Sequence, residues 1–255
     1  MLPQPTPLPE LPLLGVSLVD ATAEQTLDWL CNRLEAGQRS RVAFFNSHCC
    51  NIAARDAEYA RALCSADALL PDGSGVAIAA WMHGLRLRGN LNGTDLVPAL
   101  CGRLAASGRS VFLLGGRPGV ADAAAARLMT MWPGLLVAGC AHGYHSAMEE
   151  PAVLALVEAR GADVLLVGTG VPRQDVLLAR VAGSLSPRLF LGVGALFDFL
   201  AGRVRRAPLG LRRVGLEWVW RLAQEPARLG SRYLLGNPKF LARAVWAALA
   251  HRRAG

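Results

Sequence analysis

Short apolar runs alternate with amphipathic stretches through roughly the first 200 residues of the chain. The runs RVAFF, ALL, SVFLL, DVLLV and RLFL predict buried strands, and LLGVSLVD (13–20) and LLVAG (135–139) predict two more. The segments between these runs carry apolar residues at helical spacing. Strands that alternate with helices in this way favour an α/β fold, in which a Rossmann-like, mostly parallel sheet carries helices on both faces.

Polar residues mark the starts of the predicted helices. Asp20 or Thr22 is expected to cap the first helix, and Thr94 is expected to cap a later one. The apolar spacing after the second long run predicts one continuous helix from Ile52 to Leu63.

The periodicity changes near Gly210. From there the sequence predicts two or three helices, broken at Pro226 and Pro238, which form a C-terminal helical appendage. We therefore divide the chain into a proline-rich lead (1–14), a Rossmann-like body (15–209) and the appendage (210–255).

The charge is distributed unevenly between these parts. The chain has a net charge of +8, but from Arg203 to Gly255 twelve Arg or Lys face two Glu, which gives +10 and leaves −2 for the first 202 residues. A nearly neutral body with a basic, apolar tail indicates an anionic partner at the tail. Tryptophans interleaved with arginines suit either RNA or a membrane surface.

Several common classes of protein are excluded by missing patterns. The six cysteines form no CxxC pair, which favours a reduced cytoplasmic compartment. The first residues lack the basic start and continuous apolar run of a signal peptide. No stretch holds about 18 uncharged apolar residues, so we expect no membrane span. There is no GxGxxG, P-loop or GxSxG motif.

One acidic residue stands at the end of a predicted strand. Asp72 follows the run ALLP, and Gly73 and Gly75 come directly after it. A second polar loop, Asn92–Asp95, follows the next predicted helix. Because α/β proteins display their chemistry at the carboxyl edge of the sheet, we interpret Asp72 as a candidate catalytic base.

Two glycine loops stand where a strand leads into a helix. Gly115 and Gly116 could bring backbone N–H groups to a phosphate, although a tight turn explains them equally well. Gln174, in the second loop, could bond a sugar or a base.

The remaining acids and metal-type residues carry weaker signals. Asp198 lies in an apolar segment and therefore needs a partner, either a structural hydrogen bond or a ligand. No DxD-type acid pair is present, so no metal is expected. Cys140, His142 and His145 cluster in a glycine loop, where such spacing is unspecific.

An ordered set of motifs resembles one enzyme family. The motifs are PDGSG (71–75), NGTDL (92–96), VFLLGGRPGVA (111–121), HGY (142–144), DVLLVGTGVPRQD (163–175), and VGALFDFLAGRVRRAP followed by GLEWVWRLAQEPARLGSRYL. Together they resemble the WecG/TagA/CpsF glycosyltransferases from about Val16 to Phe240.

The resemblance implies an inverting, metal-independent transferase without a cofactor. The implied donor is a UDP-sugar carrying N-acetylmannosamine, its uronic acid or a hexose such as glucose. The implied acceptor is a polyprenyl-diphosphate-linked sugar, here undecaprenyl, in exopolysaccharide, capsule or a related envelope polymer. Residues 15–209 would bind the UDP-sugar, and residues 210–255 would associate with the inner face of the cytoplasmic membrane. Nucleic acid is not an expected partner, and the oligomeric state stays open, with a homo-oligomer among the options.

The resemblance also assigns roles to residues. The family's proposed base falls on Asp72, its strand-end asparagine on Asn46, and the arginines thought to neutralise the diphosphate on Arg221 and Arg228. The predicted substrate-binding residues are Gly73, Gly75, Asn92, Thr94, Asp95, Gly115, Gly116, Gln174, Asp198 and Arg232.

Three positions depart from the commoner family pattern. Phe44 replaces a threonine, Asn90 stands where an arginine is frequent, and Asp175 replaces the glutamate of a PRQE motif. These departures put the identity of the sugar in doubt.

Two other functions compete with this reading. An epimerase or dehydrogenase acting on a nucleotide sugar is disfavoured by the missing GxGxxG. A non-catalytic nucleotide- or RNA-binding assembly protein would use the basic tail instead.

Overall fold

The computed structural model describes residues 6–254, with the side chains of residues 6–249. The first five residues of the predicted lead and Gly255 of the predicted appendage lie outside the described residues. The strands are β1 (Glu10–Leu13), β2 (Val16–Val19), β3 (Ser40–Phe45), β4 (Ala68–Pro71), β5 (Ser110–Gly115), β6 (Leu136–Ala141), β7 (Val164–Gly168) and β8 (Leu189–Gly192).

Helices connect the strands and form the C-terminal part of the chain. They are α1 (Ala23–Glu35), α2 (Ser47–Ala53), α3 (Ala57–Cys64), α4 (Ser74–Met82), α5 (Gly93–Ala106), α6 (Val120–Met131), α7 (Glu150–Arg160), α8 (Arg173–Val181), α9 (Leu196–Leu200), α10 (Leu209–Arg213), α11 (Glu217–Gln224), α12 (Pro226–Gly230) and α13 (Gly236–Ala254). A π-helical turn, Ser231–Leu235, joins α12 to α13.

Six strands form one parallel sheet, which confirms the predicted α/β class. Their order is β4-β3-β8-β7-β5-β6. The register sets Phe45 beside Pro71 and Val167 beside Gly192, so neighbouring strands end at nearly the same level. The residues that follow these strands therefore meet at one edge.

Helices cover both faces of the sheet, as the uninterrupted apolar strands require. On one face Val42, Leu113 and Leu191 pack against α1, α5, α6 and α9. On the other face Phe45 packs with α2, α3, α4 and α13, while Phe190 packs with α7 and α8.

The structure corrects two local predictions and confirms a third. Residues 13–20 are not one strand, because a turn at Leu14 and Gly15 folds β1 and β2 into an antiparallel hairpin. The predicted helix from Ile52 to Leu63 is two helices, since the Asp56 side chain caps α3. Thr22 caps α1 as expected.

The loop before α5 gives another correction. Asn92, rather than Thr94, caps α5, because its side-chain oxygen accepts the backbone N–H of Asp95. Thr94 lies inside the first turn and donates its hydroxyl to the same oxygen, at 2.8 Å.

The appendage is more finely divided than predicted, and it packs on the body. Pro226 begins α12, but Pro238 lies in the first turn of α13 and does not break that helix. Phe240 and Ala244 of α13 are buried in the apolar cluster that contains Phe45. Within residues 6–254 no helix is both long and apolar enough to cross a membrane.

Candidate active site

The carboxyl ends of β4, β3, β8, β7 and β5 open into one cleft of about 1350 Å³. Asp72, Asn46 and Gly168 line it from the sheet side, and Arg221 and Arg232 line it from the appendage. The cleft therefore joins two parts of the chain that lie far apart in sequence.

The lining of this cleft is strongly cationic. Its cationic residues are Arg55, Arg117, Arg173, Arg203, Arg221, Arg228, Arg232, Lys239 and Arg243. Only three carboxylates accompany these nine side chains in the described lining, namely Asp72, Asp198 and Glu225. Such an excess of positive charge in a concave site attracts anionic ligands.

Asp72 and Asn46 form a pair at the edge of the sheet. The Asn46 side-chain oxygen caps α2 by accepting the N–H groups of His48 and Cys49, at 3.0 and 3.2 Å. This cap fixes the amide, whose Nδ2 donates to Oδ2 of Asp72 at 3.2 Å. The Asp72 backbone N–H donates to the carbonyl of Phe45, so both residues are held by the sheet itself.

The environment of Asp72 makes its carboxylate more basic than an ordinary aspartate. Burial raises the pKa of Asp72, while the Asn46 hydrogen bond and the charges of Arg232 and Arg221 act in the opposite direction. A carboxylate with a raised pKa in a cleft suits proton abstraction.

The glycines after Asp72 shape the loop and do not line the cleft. Gly73 has a φ of +91°, and its N–H donates to the side-chain oxygen of Asn90 at 2.8 Å. Asn90, one of the departures from the family pattern, therefore stabilises the loop that carries the acid. A Cβ at Gly75 would lie 3.4 Å from Ser47 and 3.6 Å from Phe240, so α4 packs closely against α2 and α13.

The Asn92–Asp95 loop divides its residues between the cleft and the appendage. Thr94 lines the cleft, whereas Asn92 and Asp95 do not. Both oxygens of Asp95 accept hydrogen bonds from Arg206, at 2.6 Å each. The Arg206 hydrogen bond is the main reason that the pKa of Asp95 lies below its usual value. The observed contact of Asp95 is thus with the segment that leads into the appendage.

The two glycine loops pack against each other. A Cβ at Gly115 would lie 2.5 Å from the carbonyl carbon of Gly168, so a side chain there would clash with the backbone. Gly116 lines the cleft, and its N–H already donates to Gly168 at 3.2 Å. Gln174 is buried in the cleft wall, where its side-chain oxygen accepts the N–H of Gly194 at 2.9 Å.

The predicted arginines all reach the cleft, where two of them share a carboxylate. Glu225 lies 3.6 Å from Arg221 and 3.1 Å from Arg228. The Arg221 guanidinium also stacks over the ring of Phe199 at 4.9 Å. Asp198 lines the cleft as well and lies 3.6 Å from Arg203.

Several lining residues were missed from the sequence. Lys239 and Arg243 are four residues apart on α13, so their shared face could have been read from helical spacing. Glu225 lies in the motif GLEWVWRLAQEPARLGSRYL, but the sequence alone predicts no role for it. Arg55 carried no signal in the sequence, because only the tertiary fold brings it to the cleft.

The Cys140–His145 loop has a structural explanation. His145 is buried, one ring nitrogen lies 3.2 Å from the His142 carbonyl, and Arg173 donates to the carbonyls of Gly143 and His145. Among the side chains of residues 6–249, no three His, Cys, Asp or Glu group as metal ligands. Metal independence of the reaction stays a prediction.

A family model matches nearly the whole chain. The model is described as the glycosyl transferase WecG/TagA/CpsF family, and it covers residues 11–254. The match includes both walls of the cleft.

Proposed function

Since the chain belongs to the WecG/TagA/CpsF family of glycosyltransferases, which act in cell-surface polysaccharide synthesis, we propose that it transfers a hexose or N-acetylhexosamine from a UDP-sugar to an undecaprenyl-diphosphate-linked sugar. The observation that carries this proposal is the Asp72–Asn46 pair, which stands in a cleft lined by nine cations. Exopolysaccharide or capsule is the proposed product.

In this reaction Asp72 acts as the general base. Its carboxylate takes the proton of an acceptor hydroxyl while that oxygen attacks the anomeric carbon of the donor. The bond from the anomeric carbon to the β-phosphate oxygen breaks, UDP leaves with the electron pair, and the configuration inverts. General-base assistance typically contributes about 10²–10⁴-fold to the rate.

In our proposal, side chains neutralise the negative charge that develops on the departing UDP, and no metal ion or cofactor takes part. Arg221, Arg228 and Arg232 line the cleft from the appendage. Guanidinium groups bind phosphate oxygens through paired N–H donors and thereby stabilise the developing charge.

We further propose peripheral binding to the inner face of the cytoplasmic membrane. The helices α4 and α13 pack together and expose Trp81 (70%) and Trp246 (75%). Exposed tryptophans on two adjacent helices, one of the body and one of the appendage, suit the headgroup level of a membrane surface.

A donor panel tests the proposed reaction. Purified protein is given a synthetic lipid-diphosphate sugar with several UDP-sugars, and Asp72→Asn is compared with Asp122→Asn, a matched change on the exposed face of α6. We expect one donor to be used, at least 100-fold slower turnover in Asp72→Asn by the general-base estimate, and unchanged UDP affinity. Normal turnover in Asp72→Asn would refute the assignment of the base.

Vesicle sedimentation tests the membrane proposal. Trp81→Ser with Trp246→Ser should reduce binding to phosphatidylglycerol vesicles, whereas Leu136→Ser with Met148→Ser should not. Leu136 and Met148 are also exposed, but they lie outside α4 and α13. Equal binding by both double variants would contradict peripheral association through α4 and α13.

A further inference from the structure

A second group of cations lines the cleft apart from Arg221 and Arg228. Arg55 follows α2, and Lys239 and Arg243 lie one helical turn apart on α13. We call these three residues the α2–α13 cation group; Arg232 lies at its edge. The helices that carry them are in contact, because the Asn51 side chain donates to the Gly236 carbonyl at 2.7 Å.

The α2–α13 cation group has no carboxylate partner within the part of the chain that the structure describes. Among the described residues no Asp or Glu oxygen lies within 4.0 Å of Arg55, Lys239 or Arg243, and the same holds for Arg232. Arg221 and Arg228, in contrast, already share Glu225. Like charges held together without a counter-charge repel one another, and a bound anion relieves that repulsion.

His48 lies close enough to Arg232 and Arg55 for their charges to affect its pKa. Burial, followed by the charges of Arg232 and Arg55, lowers the pKa of His48 to about 4. His48 is therefore neutral near pH 7, and its imidazole adds hydrogen-bonding capacity to the site without adding charge.

The charge of Arg232 acts on both the cation group's neighbour and the catalytic acid. It lowers the pKa of Asp72 as well as the pKa of His48. Next to Arg232 the π-helical turn exposes Leu234 (62%) and Leu235 (60%), and Leu235 lines the cleft. Cations without a described carboxylate partner, an exposed leucine and the base thus line the same cleft.

We propose that the α2–α13 cation group binds the diphosphate of the lipid-linked acceptor. The inference rests on the proposed function, in which two diphosphates enter one cleft. Arg221 and Arg228 serve the donor's diphosphate, and a second diphosphate needs cations of its own. The exposed leucines beside the group suit a diphosphate that carries a prenyl chain, because they offer that chain an apolar surface.

The test removes the three charges and measures binding without catalysis. The triple variant Arg55→Gln, Lys239→Gln, Arg243→Gln is compared with the control Arg61→Gln, Arg127→Gln, Arg188→Gln. All six side chains are exposed, and the control residues lie outside the cleft. Calorimetry follows farnesyl diphosphate and UDP separately, and sedimentation follows phosphatidylglycerol vesicles.

We expect the affinity of the triple variant for farnesyl diphosphate to fall about tenfold or more, because charge-assisted contacts to phosphate are lost. Its affinity for UDP should change less than about twofold, and its vesicle binding should match that of the control.

Three outcomes would overturn the inference. Unchanged affinity for farnesyl diphosphate would show that the group binds no diphosphate. An equal loss of UDP affinity would assign the group to the donor. Loss of vesicle binding alone would assign it to membrane headgroups. Failure of every UDP-sugar in the donor panel would count against the proposed reaction only, since these binding results do not require transfer.

Discussion

Replacing Asp175 with Asn should stabilise the protein at alkaline pH. Asp175 is 2% exposed. Among the described residues, no donor forms a hydrogen bond of normal geometry with either of its carboxylate oxygens. Burial raises the pKa of Asp175 to about 7, although Gln174, Tyr59 and the charge of Arg41 act in the opposite direction. Asparagine has nearly the shape of the protonated acid and carries no charge.

The size of the effect follows from the pKa of Asp175. An ordinary aspartate titrates near 3.9, so a value of about 7 is a shift of roughly 3 units, or at most about 4 kcal/mol. Because the folded-state pKa is raised, the folded protein holds a proton that the unfolded chain releases. Wild-type stability therefore falls as the pH rises from about 4 to about 7, and it levels off above that range. Relaxation around the charge reduces the expected difference to about 2–4 kcal/mol at pH 8.

Urea unfolding at pH 4 and pH 8 measures this difference. Asp175→Asn should be within about 1 kcal/mol of wild type at pH 4, where the unfolded chain also holds much of the proton, and clearly more stable at pH 8. The control Asp122→Asn, on an exposed position, should change little at either pH. If Asp175→Asn lowered the free energy of unfolding equally at both pH values, Asp175 would have a compensating partner and the burial reasoning would be wrong.

Three further predictions concern the neighbouring contacts. Asp95→Asn and Arg206→Gln form a double-mutant cycle that urea unfolding can measure, and we expect a coupling free energy of about 1 kcal/mol. The expected value is modest because the Asp95 side chain is half-exposed. Strictly additive effects of the two substitutions would contradict the ion pair. Glu225→Gln should bind UDP about threefold to tenfold more tightly by calorimetry, since one competing carboxylate is removed, and weaker binding would contradict that competition. Asn46→Ala should move the acid limb of the kcat/KM profile to higher pH, because the Asn46 hydrogen bond lowers the pKa of Asp72; an unmoved limb would exclude this contact.

The sheet side of the site could be predicted from the sequence for a clear physical reason. Strands buried on both faces appear as continuous apolar runs, and the first polar residue after each run stands at the carboxyl edge. Asn46 and Asp72 follow two such runs and therefore meet. The hairpin turn at Leu14 was missed because VSLV on one side and LPLL on the other form one apolar pattern without a polar break.

The choice between competing caps could not be predicted. Asn92 and Thr94 are both good capping residues, and only the backbone path decides which oxygen faces the free N–H groups. That path also turns Asp95 towards Arg206, so a residue predicted to contact the sugar also holds the segment that leads into the appendage. Substrate contact by Asp95 stays a prediction.

The appendage side of the cleft depends on contacts that periodicity does not encode. Ser47 bonds Asn237 at 3.1 Å, and Ser74 bonds the Gly215 carbonyl at 2.9 Å. Both pairs are more than 100 residues apart in sequence. Helical spacing shows which residues of α13 share a face, but it does not show what that face meets.

The uneven charge of the chain follows from how the site is assembled. Five of the six strands of the sheet are buried almost throughout and leave little room for unpaired cations in the body, because an isolated charge in such a core is costly. Helices laid over the open edge of the sheet can bring arginines to the cleft while part of each side chain stays in water. The same arginines then act on the acid, since Arg232 and Arg221 lower the pKa of Asp72 that burial raises. Deleting the appendage would remove these charges and also uncover the cluster filled by Phe240, so point substitutions at the arginines are what separate electrostatics from packing.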